Sequence, residues 1–171
     1  IPNTVAGAIR SALPLQPAIL DVHASGGRAM MQAALDAVTA WSGPRPMLIA
    51  VTVLTSLSDD DLTATGVNGT AEAQVLRLAR LTQAAGLDGV VCSPREIAPI
   101  RAALGPGFKL VVPGIRPEWA AVGDQKRIMT PRQAVDAGAD ILVIGRPITG
   151  SDDPVAAAKR LGLGVGDTIT L

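Results

Sequence analysis

This sequence predicts a parallel α/β fold, and within that class the last five βα units of a (β/α)8 TIM barrel, on three observations. Apolar runs of strand length alternate with capped or amphipathic helical segments along most of the chain. The available core is aliphatic: apolar residues are 48% of the 171 and aromatics 2%, which suits buried parallel strands covered by helices. Two of the apolar runs end in glycine and arginine, at Pro113-Gly114-Ile115-Arg116 and at Ile144-Gly145-Arg146-Pro147. The final units of such a barrel hold a phosphate in that way. An open doubly wound sheet would put its phosphate-binding glycines after the first strand instead.

The elements follow in order. Val5 to Leu13 reads as a leading helix with no strand before it, and Ile19 to Ala24 as the first strand. A helix from Ala29 to Trp41 is broken by Gly43-Pro44 and Pro46. Met47 to Leu54 is a continuous apolar run, as a buried parallel strand requires. Ser58 to Leu62 opens a short helix whose acidic first turn suits the helix dipole, so Asp59, Asp60 and Asp61 read as a solvated helix start and not as metal ligands. The next helix runs from about Ala71 to Ala85, with Ala71, Val75, Leu78 and Ala79 on one face and Gly86 at its end. After the strand run that ends at Cys92, Ser93-Pro94-Arg95-Glu96 is a capping box with proline at the first helical position. Lys109 to Val112 is a strand, and Thr130-Pro131-Arg132-Gln133 repeats the capping design before Gly138. Ile141 to Ile144 is the last strand, and a helix starts at Asp153-Pro154 and reaches about Leu161. With no linker or low-complexity segment, residues 1–171 read as one domain.

Composition narrows the function. Zero net charge and the lack of an aromatic stacking surface argue against a nucleic-acid partner. No apolar run approaches the ~20 residues that span a bilayer, so no membrane is expected. The single cysteine, Cys92, lies in an apolar strand and reads as a buried, inert thiol; a reducing, cytoplasmic setting is expected. His23 is the only histidine, which rules out a multi-histidine metal site, and it reads as a structural hydrogen-bonding residue.

Chemistry concentrates in the last third. A dianion needs backbone N–H groups aimed at one point, and glycine lets the chain approach without a Cβ. Gly145 offers that approach, Arg146 a planar fork for two oxygens, and Arg116 and Gln125 the adjoining loop. A strand end with a solvated arginine is the plain alternative for Gly145-Arg146 alone, and the second glycine-arginine run weakens it.

The chain here resembles the orotidine 5′-monophosphate decarboxylase family, in its common bacterial branch. The matching pieces are Ile1-Pro2-Asn3-Thr4-Val5, Val22-His23-Ala24-Ser25-Gly26-Gly27, Ala50 to Ser56, Val112 to Pro117, Gly123-Asp124-Gln125 through Thr130-Pro131, and Val143 to Thr149. They stand in the family's order over almost the whole chain. The resemblance implies decarboxylation of orotidylate to UMP in pyrimidine biosynthesis, without cofactor or metal. It implies a phosphate held by Arg146, Gln125 and the Gly145 amide with Arg116 beside them. Thr55, at the end of its strand, would contact the pyrimidine edge, and Pro113 would pack against the base. Thr4 would reach the ribose hydroxyls in a partner's site, since family members are homodimers with shared active sites. The loop from Pro117 to Lys126 would be the lid, with Gln125 as its latch.

The family's Lys-Asp-Lys-Asp array, centred on Asp-x-Lys-x-x-Asp, directly precedes Ile-Pro-Asn-Thr, where this sequence begins. No catalytic residue is therefore expected in this chain, and Lys109, Lys126 and Lys159 do not replace the family's lysine. The chain is expected to be the C-terminal part of a longer enzyme, inactive alone and unstable as a monomer because its sheet edges would be open. Competing expectations are a related sugar-phosphate decarboxylase or epimerase, and a non-catalytic nucleotide-phosphate-binding fragment.

Overall fold

The computed structural model describes residues 1–120 and 129–162. Five parallel strands stand side by side in chain order: β1 (Ile19–His23), β2 (Met47–Val51), β3 (Gly89–Val91), β4 (Lys109–Val112) and β5 (Ile141–Leu142). The helices are α1 (Pro2–Ala12), α2 (Arg28–Thr39), α3 (Asp59–Ala64), α4 (Ala71–Ala84), α5 (Ile97–Leu104), α6 (Pro131–Ala137), α7 (Arg146–Thr149) and α8 (Pro154–Gly162). Consecutive strands pair without exception, which is the connectivity of a barrel wall and not of a doubly wound sheet.

Register sorts the strand residues onto two faces. Val22, Ala50, Val90 and Leu110 are aligned partners on four strands, all buried, and they join one core with Met31, Ala34, Val38, Val75, Ala79, Ile97 and Ile100 of the helices. On the opposite face stand Asp21, Ile49, Gly89 and Lys109 in one row and His23, Val51, Val91, Val111 and Ile141 in the next. Gly89 is required there by close approach: a Cβ would lie 2.2 Å from the Lys109 carbonyl oxygen.

The helix ends are where their caps demand. Ser58 accepts the Asp61 N–H while Asp61 accepts the Ser58 N–H, and Thr130 and Gln133 repeat the exchange. The Ser93 N–H donates to the buried Glu96 carboxylate at 2.6 Å; this turn is 3-10 before it becomes α5. Asp59 reaches across to accept the Ala71 N–H at 2.7 Å, tying the start of α3 to the start of α4. Thr82 is fully buried in α4, its hydroxyl returned to the Leu78 carbonyl, which the sequence pattern did not predict.

Two strands are shorter than their apolar runs. The Met47 to Leu54 run forms a strand only to Val51; the N–H and the hydroxyl of Thr52 both bond the Val91 carbonyl of β3, and a turn follows at Leu54–Leu57. The Ile141 to Ile144 run pairs over two residues before entering the turn that starts α7. That short helix is an addition to the expected elements.

At the N-terminal ends of the strands one device occurs twice. Ala85-Gly86-Leu87-Asp88 precedes β3 and Ala137-Gly138-Ala139-Asp140 precedes β5. Each glycine ends a helix at positive φ, +87° and +107°. Each aspartate then exchanges two bonds with one residue of the preceding strand. Asp88 N–H donates to Leu48 O at 2.9 Å and its carboxylate accepts Leu48 N–H at 2.7 Å; Asp140 does the same with Leu110 at 3.0 and 2.8 Å.

Candidate active site

The C-terminal ends of β4 and β5 bring together what the sequence separates by thirty positions. The chain leaves β4 through Pro113 and Gly114, and Ile115 forms a parallel bridge with Met129, with the Arg116 N–H donating to the Met129 carbonyl at 3.0 Å. The two stems of this loop are thus zipped together just outside the sheet. Arg116 is buried, and its guanidinium donates to the Ile115 carbonyl at 2.8 Å. Arg146 is the first residue of α7, immediately beyond β5, and is exposed. Both arginines line one cavity of about 400 Å³, walled also by Trp119, Pro147, Ser151 and Asp152.

Gly145 is the N-cap of α7, at φ −101°. A Cβ there would meet no atom of the described residues within 4 Å. Among the described residues, neither packing nor positive φ requires glycine at this position.

Pro113 is half-buried at the end of β4, the strand that precedes the Arg116 loop. Thr55 is half-buried too, but it does not end its strand: β2 stops at Val51 and Thr55 lies in a turn, where Leu57 N–H donates to Leu54 O at 3.0 Å. Thr4 is exposed in the first turn of α1. That helix packs on α2 through Ala6 and Ile9, beside β1, at the sheet edge opposite β5. Gln125, and with it most of the Pro117 to Lys126 loop, lies outside the described residues. His23 is exposed at the end of β1, in register with Val51 of β2. Cys92 is fully buried.

A larger cavity, about 660 Å³, opens at the other ends of the strands between Arg45, Gln83, Asp88 and Lys109. Its charges are engaged with one another or with the fold: Arg45 grips Asp88 with two nitrogens at 2.9 and 3.1 Å, Lys109 pairs with Asp140 at 3.1 Å, and Gln83 caps the Leu104 carbonyl. Nothing there converges on a ligand. The sequence reading missed Trp119, Ser151 and Asp152 as cavity walls; Trp119, an aromatic in a polar loop of an aromatic-poor chain, was the available signal.

Parallel strands in barrel order, with arginines from the last two βα loops sharing a cavity at the C-terminal ends, define the class: an α/β protein of the barrel family. Residues 1–161 match the family model for orotidine 5′-phosphate decarboxylase / HUMPS, and the chain belongs to that family. It is 60% identical over 165 residues to orotidine 5′-phosphate decarboxylase of Rhodospirillum rubrum, covering 94% of this chain and 67% of that protein. The Idiomarina loihiensis protein of the same name is 55% identical over 167 residues, covering 98% of this chain and 72% of its own length. Among solved structures, orotidine 5′-phosphate decarboxylase from Lactobacillus acidophilus superposes with a TM-score of 0.83 at 37% identity, over 96% of this chain and 70% of that one.

Proposed function

We propose that the loops after β4 and β5 form the phosphate-binding half of a cytoplasmic orotidine 5′-monophosphate decarboxylase, which converts orotidylate to UMP and CO₂. The observation that carries this reading is the shared cavity of Arg116 and Arg146, beside a glycine whose added Cβ would meet none of the described residues. Two guanidinium groups at one cavity suit a phosphate dianion, and an uncrowded Gly145 lets backbone N–H groups approach it. Gln125 would complete the grip from the loop between Arg116 and Met129. Pro113 and Thr55 would border the pyrimidine, and Thr4 would serve the site of a second subunit in a homodimer.

In the reaction the bond between C6 and the carboxylate breaks, CO₂ leaves, and the electron pair left on C6 takes up a proton. The proton donor implied by the family resemblance is the lysine of Asp-x-Lys-x-x-Asp. Lys109 does not suit that role, since it pairs with Asp140 at the wrong ends of the strands. The residues of this chain contribute binding energy remote from C6, which lowers the barrier when it is realised more fully in the transition state than in the ground state. Neither cofactor nor metal enters this scheme.

The test compares UMP with uridine as ligands of the full-length protein by calorimetry. UMP should bind far more tightly than uridine, and Arg146→Ala should erase most of that difference. Equal binding of the two ligands, or an unchanged difference in the variant, would overturn the assignment. A pentulose phosphate in a parallel titration separates the related sugar-phosphate enzymes, which would prefer it to UMP.

A further inference from the structure

We infer that Arg160 of α8 is a positioning residue for the dianion cavity, acting through the ring of Trp119. The inference rests on the phosphate reading of that cavity. The Arg160 guanidinium carbon stands 4.8 Å from the centroid of the Trp119 ring. Trp119 also lines the cavity shared by Arg116 and Arg146. One side chain therefore has a fixed cation against it and forms a wall of the anion site as well.

The surrounding contacts make this a support and not a chance surface pair. Trp119 lies in a turn closed by the Ala120 N–H to the Pro117 carbonyl at 2.9 Å, directly after the Arg116 stem. The stem itself is fixed by its bridge to Met129. Trp119 thus stands between the fixed Arg116 stem and the cavity, and it is tied to a second element of the fold. The element that ties it is α8, anchored by buried Ala157 and Leu161 and packed against α7. Since α7 begins with Arg146, α8 braces both arginine-bearing segments, one by packing and one through the Arg160–Trp119 contact. Loss of the contact frees the tryptophan wall, and holding that wall against the bound anion then costs part of the binding energy.

The expected effect is small and specific. Cation–π contacts at exposed positions correspond to about two- to five-fold in an equilibrium constant. Arg160→Ala in the full-length protein should raise the KM for orotidylate and the Kd for UMP by about that factor, leaving kcat at saturation and uridine binding unchanged. Arg160→Lys, which keeps a cation over the ring, should restore most of the loss. Trp119→Ala should weaken UMP although Arg160 keeps its charge, and the double variant should lose no more than Trp119→Ala alone. Additive losses, or a loss with Arg160→Ala and none with Trp119→Ala, would mean that Arg160 acts by long-range charge and would overturn the proposal. If Arg146→Ala erases the preference for UMP over uridine while Arg160→Ala does nothing, the phosphate reading stands and this inference fails. If Arg146→Ala changes nothing, the phosphate reading itself has failed.

Discussion

At the N-terminal ends of the strands Arg101 and Asp140 are spent on the fold; at the C-terminal ends Arg116 and Arg146 face a cavity. Arg101 donates to the carbonyls of Gly138, Gly105, Pro106 and Phe108 and to the Asp140 carboxylate, while Asp140 also takes the Leu110 N–H and Lys109. Arg146, by contrast, sits exposed on the first turn of a four-residue helix beside an uncrowded glycine. The difference teaches how a parallel barrel wall separates its tasks. Register and strand spacing are locked at one end by side chains that bond backbone, and at the opposite end the arginines of two βα loops line a shared cavity. Mutations at the two ends should therefore fail in opposite ways.

The largest expected effect is on activity. Arg146→Ala in the full-length protein should lower kcat/KM on the order of 10²–10³-fold, as loss of bonds to a charged group implies, with no fall in Tm. A matching loss of Tm would merge the two ends and break the comparison. Asp140→Ala should do the reverse. It strands the Leu110 N–H and removes the carboxylate partner of Arg101 and Lys109, and should cost about 2–3 kcal/mol in urea unfolding, with activity per folded molecule kept. The equivalent change at Asp88 should cost less, because its partner Arg45 is half exposed.

Two glycines sharpen the contrast. Gly89→Ala drives a Cβ into the Lys109 carbonyl and should destabilise by about 1–3 kcal/mol. Gly145→Ala meets none of the described residues and should stay within about 0.5 kcal/mol of the parent, yet weaken UMP roughly tenfold, the worth of one hydrogen bond to a charged group. Unchanged UMP affinity in that variant would remove Gly145 from the site.

The smallest effect is a pH dependence. Burial pushes the Asp140 carboxyl up, but bonds from the Leu110 N–H, Lys109 and Arg101 outweigh it and hold the pKa below the ordinary 3.8. The folded state thus binds the proton less readily than the unfolded chain. Its stabilisation is complete above the ordinary value and is lost as pH falls through the lowered one. The stability gap between the parent and Asp140→Asn should be constant from neutral pH to about pH 5 and narrow below about pH 4. A gap that widens toward acid would show that the aspartate is not held as its contacts indicate.

Much of the fold was legible because it is decided locally. The Ser58–Asp61 and Thr130–Gln133 boxes and the stops at Gly86 and Gly138 are each set by side chains within a few residues of the backbone groups they satisfy. Strand lengths were less legible: an apolar run can continue past the last strand residue, as at the exposed Leu54 and Val143. α7 was hidden because a four-residue helix carries no periodicity, and Pro147 at its second position was the one clue.

By itself the sequence determined the parallel α/β class, the helix caps, the burial of Cys92 and the two glycine-arginine runs, since each depends on composition or on neighbours along the chain. Only the tertiary structure decided that Arg116 and Arg146 share a cavity, that Asp88 and Asp140 clamp Leu48 and Leu110, and that Arg160 stands over Trp119. These partners lie between 30 and 41 positions apart. Across such distances no local rule fixes which groups meet; that is set by strand order and register, which place the ends of neighbouring βα units side by side.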